Sequence, residues 1–188
     1  MDRVDDGPLD THTLAVREDT PGRLYSAAGD GIFAARGGYL ESPDGGDTWE
    51  RHPGGLAHHY LWGLAVDPQD PNTVLVSASS SPMQAHSAGA AETTGYRRED
   101  GGPWQEVRDG LPDTEGTIAS VLGAAEPGVF YALNNHGLYL SRDAGKTGSA
   151  WRCRGRSAIS GSIHRRSSFP RRKRMCRCGT NRCAVARG

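Results

Sequence analysis

The stretch "SPDGGDTW", at residues 42–49, decides how this sequence is interpreted, because it returns as "SRDAGKT" at residues 141–147. A carboxylate followed closely by glycines is typical of a tight turn. The carboxylate accepts hydrogen bonds from nearby backbone N–H groups, and glycine tolerates positive φ angles. We therefore interpret Asp44 as a residue that holds a turn, in preference to a catalytic acid or a calcium ligand. The later copy ends early, since Gly148 stands where the first copy has Trp49.

Three longer stretches align on a proline: "LAVREDTPGRLYSAA" on Pro21, "LAVDPQDPNTVLVSA" on Pro71 and "SVLGAAEPGVFYALN" on Pro127. Each has the pattern of a strand, a turn and a second strand. A third strand and an aspartate-containing turn follow in each case. The turn aspartates are Asp44, Asp100 and Asp143. A repeat of about fifty residues is typical of a propeller blade with four strands.

The first turn resembles the Asp-box, S-x-D-x-G-x-T-W, of the bacterial neuraminidase (BNR) repeats found in sialidases and sortilin-like receptors. The third turn matches this motif up to its threonine, whereas the second, "REDGGPW", keeps only the aspartate, one glycine and the tryptophan. The resemblance implies that each box lies between the third and fourth strands of a blade, on the face away from the ligand site. It gives a structural role to Ser42, Asp44, Gly46, Thr48, Trp49, Asp100, Gly102, Trp104, Ser141, Asp143, Gly145 and Thr147.

These repeats predict an all-β fold: a β-propeller fragment of about three four-stranded blades with Asp-box turns, followed by a disordered basic tail. Residues 1–11 form an N-terminal segment. The blades occupy about residues 12–57, 58–113 and 114–147, and the tail occupies residues 148–188. The tyrosines and leucine at one repeat position, Tyr25, Leu75 and Tyr131, are expected to belong to the core.

Charge divides the chain in two. Residues 1–147 contain all 22 acidic residues and 10 of the 22 basic ones, whereas residues 148–188 contain the other 12 basic residues and all four cysteines. The chain has no apolar run of the roughly 18–20 residues that span a bilayer, and its acidic beginning lacks the apolar core of a secretory signal. We therefore expect a cytoplasmic protein without a membrane partner.

The tail leaves three interpretations open. Its arginines are suited to nucleic-acid phosphates. Its cysteines (Cys153, Cys176, Cys178 and Cys183) do not have the paired C-x2-C spacing of common metal sites, and no metal or cofactor is predicted. The third interpretation is a shifted reading frame. If residues 148–151 are encoded GGG-AGC-GCC-TGG, which the genetic code permits, restoring one T directly after Thr147 gives Trp-Glu-Arg-Leu, and this continues the turn as "TWERH" continues the first. Nucleic-acid binding is expected only if the tail is genuine.

Candidate ligand-binding residues are histidines in loops that a propeller would place on one rim: His58, His59, His86 and His136. Imidazoles could hydrogen-bond an anionic ligand or act as general bases, although ordinary solvated loop histidines are the alternative. Trp62 is expected to pack in the core. The loop around Met83 and His86 is long, which is uncommon unless a loop is functional or disordered.

The favoured function is a non-catalytic propeller fragment that binds an unidentified small molecule, glycan or protein partner on the histidine-bearing face. A fragment of a glycoside hydrolase of the sialidase-like superfamily is the alternative. Sialidases that resemble this repeat hold the substrate carboxylate with three arginines, and no such triad is evident, so sialidase activity is not expected. A second alternative is nucleic-acid binding by the basic tail.

Overall fold

The computed structural model describes residues 2–4, 7–29 and 38–151 of the 188-residue chain. The predictions about the cysteines, the arginine-rich segment and the shifted frame beyond Trp151 lie outside these residues. Within the described residues, no helix is long and apolar enough to cross a membrane.

The described residues form three antiparallel sheets, each the blade of a propeller, and this confirms the predicted fold class. Blade 1 contains β2 (Thr11–Val16), β3 (Leu24–Ala28), β4 (Tyr39–Ser42) and β5 (Trp49–Arg51), and β1 (Asp2–Val4) pairs outside β5. Blade 2 contains β6 (Tyr60–Val66), β7 (Val74–Ser79), β8 (Thr94–Arg98) and β9 (Gln105–Val107), with the short helix α1 (Pro82–His86) between β7 and β8. Blade 3 contains β10 (Val121–Glu126), β11 (Val129–Asn134), β12 (Gly137–Ser141) and β13 (Ser149–Ala150).

The first strands of the three blades pack side by side, β2 against β6 and β6 against β10. The central strand β6 is buried or half-buried along its whole length. The two flanking strands expose apolar side chains instead: Leu14 and Val16 on β2 are 54% and 58% exposed, and Val121 on β10 is 60% exposed. Each terminal blade therefore presents an uncovered face where a further blade of a ring would pack.

The first aspartate turn is held by its own side chains. The Ser42 hydroxyl donates to Asp44 Oδ1 (2.9 Å) and accepts from the backbone N–H of Gly46 (2.8 Å). The backbone N–H and the hydroxyl of Thr48 donate to the two carboxylate oxygens of Asp44 (2.8 and 2.6 Å). These bonds from Thr48 lower the pKa of Asp44, because they stabilise its charged form.

The third aspartate turn repeats this pattern. Ser141 donates to Asp143 Oδ1 (2.7 Å) and accepts from Gly145 N–H (3.0 Å), and Thr147 donates twice to the carboxylate of Asp143 (3.0 and 2.8 Å). Burial raises the pKa of Asp143, but the bonds from Thr147 and Ser141 outweigh it and lower the pKa to about 2. The chain continues through Gly148 into β13, which extends the third sheet just past the predicted blade boundary at residue 147.

The second turn is held differently. The carboxylate of Asp100 is exposed and has no hydrogen bond among the described residues, and its backbone adopts a positive φ of 52°. The N–H of Gly102 donates to the carbonyl of Glu99 (2.9 Å), and Arg98 Nε donates to the carbonyl of Gly102 (3.1 Å). Without the serine and threonine of the motif, the backbone and a neighbouring arginine close this turn.

Blades 1 and 2 share a well-packed aromatic interface. The rings of Tyr39 and Trp104 meet edge to face with centroids 4.8 Å apart, and Trp104 Nε1 donates to the carbonyl of His52 (2.8 Å). The Tyr25 hydroxyl donates to the carbonyl of Pro71 (3.0 Å). The buried cluster that includes this interface comprises Tyr25, Ala27, Tyr39, Leu56, Leu61, Leu64, Val74, Val76, Ala78, Tyr96 and Trp104. Trp49, in contrast, packs against Leu24, Leu40 and Ala28 of its own blade.

An ion-pair network crosses the same interface. Glu41 accepts from the Tyr39 hydroxyl (2.6 Å) and from Arg98 Nη1 of blade 2 (2.7 Å), and its other oxygen accepts from Arg23 Nη2 (2.8 Å). Burial raises the pKa of Glu41, but the bonds from Tyr39 and Arg23 outweigh this effect and lower it. Glu41 therefore remains charged between the two blades.

A cavity of about 630 Å³ lies between blades 2 and 3. Its lining includes Leu75, Tyr96 and Leu111 from blade 2 and the loop after it, and Phe130 and Tyr139 from blade 3. A cavity thus lies at the interface of blades 2 and 3, whereas the Tyr39–Trp104 pair packs at the interface of blades 1 and 2.

Candidate functional site

A cluster of imidazole and aromatic rings lies at the end of the blades where β2 and β6 begin. We call His12, Tyr60, Trp62 and His86 the ring cluster. The His12 ring lies 4.8 Å from the Tyr60 ring and 4.7 Å from the Trp62 ring, measured between centroids. The His86 ring lies 4.4 Å from Trp62, and its Nε2 is 3.1 Å from the Tyr60 hydroxyl. The cluster therefore joins side chains from β2, β6 and α1.

The local structure fixes each ring. His12 Nδ1 lies 2.6 Å from the carbonyl oxygen of Leu61, so the first strand of blade 1 is tied to that of blade 2. Helix α1 starts at the N-cap Ser81, whose hydroxyl accepts from a backbone N–H of the first turn. The buried Ala85 packs α1 against Tyr60, and this contact places His86, the last residue of the helix, over β6.

Two members of the ring cluster, His86 and Tyr60, are neutral near pH 7. Burial, and then the neighbouring His12, lowers the pKa of His86, so that its imidazole is uncharged. Burial, and then Asp10, raises the pKa of Tyr60, so that its hydroxyl keeps its proton. The carboxylate in contact with the cluster is that of Asp10, whose Oδ2 lies 3.5 Å from His12 Nε2. Among the described residues, the site thus combines ring faces, hydrogen-bonding groups and one carboxylate.

Of the four predicted histidines, His86 belongs to the ring cluster. His58 Nδ1 lies 2.9 Å from the Tyr96 hydroxyl. His59 is half-buried; burial, and then His58, lowers its pKa, and its Nδ1 has no hydrogen-bond partner among the described residues. His136 is exposed, and its Nε2 lies 3.1 Å from the carbonyl oxygen of Gly116 in a neighbouring loop. These three histidines make their contacts outside the cluster.

Sequence reasoning missed His12, Tyr60 and Asp10. It expected Trp62 to pack in the core, and Trp62 does pack against the buried cluster of Tyr60, Ala85 and Ala119. Trp62 is half-buried, between His12 and His86. A signal was present, because residues 10–12 lie at the beginning of β2 as residues 58–60 lie at the beginning of β6. The beginnings of adjacent inner strands share one rim of a propeller, so the two stretches should have been considered together.

The described residues offer no metal site, and two of their arginines hold blades together. They contain no group of three or more histidine, cysteine, aspartate or glutamate residues that could hold a metal ion. Arg97 and Arg98 are buried and donate to the carbonyl of Ala144 (2.6 Å) and to Glu41 (2.7 Å), so both are committed to contacts between blades.

Solved structures with the same architecture were found by comparison. The chain resembles an ancestral GH74 enzyme with a TM-score of 0.55 at 13% identity, over 77% of this chain and 19% of that one. It resembles the GH74 xyloglucanase from Xanthomonas campestris with a TM-score of 0.51 at 21% identity, over 74% of this chain and 18% of that one. YCF48 from Cyanidioschyzon merolae gives a TM-score of 0.49 at 16% identity, over 76% of this chain and 38% of that one.

No protein-family model matches the sequence, and no curated protein matches it. The two GH74 structures share the propeller architecture with this chain, which spans less than a fifth of the length of each. At these identities the similarity establishes the fold, and function has to be argued from the site.

Proposed function

We propose that this chain is a three-blade segment of an Asp-box propeller and that its ring cluster binds a glycan without hydrolysing it. The Asp-box assignment rests on the matching hydrogen bonds of Asp44 and Asp143 in blades 1 and 3. The binding role rests on one observation, the convergence of four rings from three elements at one rim. Ligand sites commonly combine aromatic surface with a few polar groups that fix orientation.

The chemistry of the cluster suits a sugar. Ring faces such as that of Trp62 pack against the apolar face of a pyranose, and the Tyr60 hydroxyl and the His86 imidazole exchange hydrogen bonds with sugar hydroxyls. A neutral His86 can both donate and accept a hydrogen bond, whereas an imidazolium can only donate. We therefore expect binding at neutral pH to weaken as His86 becomes protonated.

Calorimetric titration of the full chain with xyloglucan oligosaccharides tests this proposal. These probes are chosen because one structure of the same architecture is a xyloglucanase. We expect saturable binding that Trp62→Ala and His86→Ala abolish. His136→Ala is the matched control, since this exposed histidine lies outside the cluster and should leave affinity unchanged. Circular dichroism of each variant verifies that it is folded. Absence of binding, or unchanged affinity in both folded cluster variants, would remove the site.

A glycosidase segment is the second candidate, because two of the structures compared are GH74 enzymes. Most glycosidases need two carboxyl groups, about 5 Å apart in retaining enzymes and about 6.5–9.5 Å apart in inverting ones. Among the described residues, Asp10 is the carboxylate in contact with the ring cluster. Incubation of the chain with xyloglucan and assay of new reducing ends decides between the candidates. If the chain releases sugar and Asp10→Asn abolishes this release, the glycosidase candidate replaces the binding candidate.

A further inference from the structure

Two blade interfaces of this chain use the same backbone contacts. The N–H of Trp104 donates to the carbonyl of Gly54 at the interface of blades 1 and 2, and the N–H of Gly148 donates to the carbonyl of Asp109 at that of blades 2 and 3, both at 2.8 Å. In each loop, the residue after the accepting carbonyl is a glycine with a positive φ angle. Gly55 (93°) follows Gly54, and Gly110 (72°) follows Asp109. Position 148 in blade 3 is therefore structurally equivalent to position 104 in blade 2.

The side chains at these equivalent positions differ. Tyr39 and Trp104 pack edge to face between blades 1 and 2. In the strand pairings, Tyr39 lies opposite Ala27 on β3, and Gly95 lies opposite Ser77 at the same place on β7. Between blades 2 and 3 the aromatic pair is thus replaced by Gly95 and Gly148. Both glycines line the cavity of about 630 Å³.

The cavity is large enough, and sufficiently apolar in part, to hold a ligand. Small-molecule pockets commonly measure about 300–1,000 Å³, and an engineered apolar cavity of about 150 Å³ binds benzene. Leu75, Leu111, Phe130 and Tyr139 supply apolar lining. The exposed Asp113 also lines the cavity, which therefore has a route to solvent.

We propose that the cavity between blades 2 and 3 binds a planar bicyclic aromatic molecule of the indole class. Gly148 and Gly95, which stand where the neighbouring interface has Trp104 and Tyr39, both line this cavity, and the backbone contact between the blades is the same. A free ligand there would restore the packing that the side chain supplies in blade 2. This site involves no residue of the ring cluster, so it stands independently of the glycan proposal.

Saturation-transfer NMR of the full chain with indole tests the proposal. We expect saturable binding to the original chain and a rise of its Tm with indole concentration, because a ligand that binds the folded state stabilises it. Gly148→Trp places an indole in the cavity and should abolish binding. Gly89→Trp is the matched control. Gly89 is exposed in the β7–β8 loop, and a Cβ added there meets no atom within 4 Å, so binding should persist.

A second variant covers the event that Gly148→Trp does not fold, since a side chain there requires Leu111 to move. A Cβ at Gly95 meets its nearest atoms at 3.7 and 3.8 Å, which is ordinary contact, so Gly95→Tyr can fill the cavity from the β8 side. Loss of binding in a folded filling variant supports the site. No saturable binding to the original chain, or binding that survives in a folded filling variant, overturns the proposal.

Discussion

The two blade interfaces of this chain have the same backbone geometry and different fillings. Between blades 1 and 2, Tyr39 and Trp104 pack edge to face, whereas the equivalent positions between blades 2 and 3 are Gly95 and Gly148 beside a cavity. Backbone hydrogen bonds of the same length dock both pairs of blades. The comparison indicates that the repeat backbone specifies how blades stack, while the aromatic pair determines how strongly they adhere.

The largest effect is expected from Trp104→Ala, which empties the filled interface. Removing a large buried aromatic side chain typically costs about 3–5 kcal/mol of unfolding free energy, from lost transfer energy and the cavity left behind. Urea denaturation followed by circular dichroism measures it. Trp151→Ala is the matched control, because Trp151 is 48% exposed and its removal should change stability by less than about 0.5 kcal/mol. Equal losses of unfolding free energy in Trp104→Ala and Trp151→Ala would contradict the special role of the Trp104 interface.

Glu41→Gln should have the next largest effect. The substitution leaves the buried Arg98 and the half-buried Arg23 without their carboxylate, and breaking a buried ion pair typically costs about 3 kcal/mol. Glu106→Gln, which breaks the exposed pair with Arg108, is the control and should have a much smaller effect. A loss no larger than that of the control would show that the network does not stabilise the interface.

Gly148→Trp should stabilise the chain by about 1 kcal/mol, because cavity-filling substitutions commonly add this much. The gain is smaller than the loss in Trp104→Ala, since Leu111 must first move aside. The double variant with Gly148→Trp and Gly95→Tyr should gain more unfolding free energy than the two single variants gain in total, because the new rings contact each other. Additive effects in this double-mutant cycle would argue against an aromatic pair at the second interface.

The smallest effect concerns pH. The pKa of Asp143 is about 2 in the folded state and about 3.9 in an unfolded chain, so its stabilising contribution is complete above about pH 4 and is lost as the pH falls towards 2. Asp143→Asn should therefore flatten the dependence of unfolding free energy on pH in this window. Asp47→Asn is the control, since its carboxylate has no hydrogen bond among the described residues. An unchanged slope in Asp143→Asn would contradict the turn's role.

The sequence predicted the all-β propeller fold because its signals are local. Strand pairs on either side of Pro21, Pro71 and Pro127 are adjacent in the chain, and turn residues separate them. The ring cluster depends instead on contacts between residues far apart, such as His12 with Trp62, and these become visible only when the beginnings of the first two blades are aligned. The cavity could not be predicted from the sequence either. Gly95 and Gly148 are far apart in the chain, and only the folded structure shows that both line the same space between blades 2 and 3.

Native-state hydrogen exchange of the two terminal blades tests the difference between the interfaces most directly. Blades 1 and 3 each pack against blade 2, so the amides of β3 and β4 can be compared with those of β11 and β12. We predict a lower free energy of opening for β11 and β12, because the interface that holds them lacks the aromatic pair. Equal protection of the two sets of amides would contradict this, and would mean that the backbone contacts alone set the strength of blade docking.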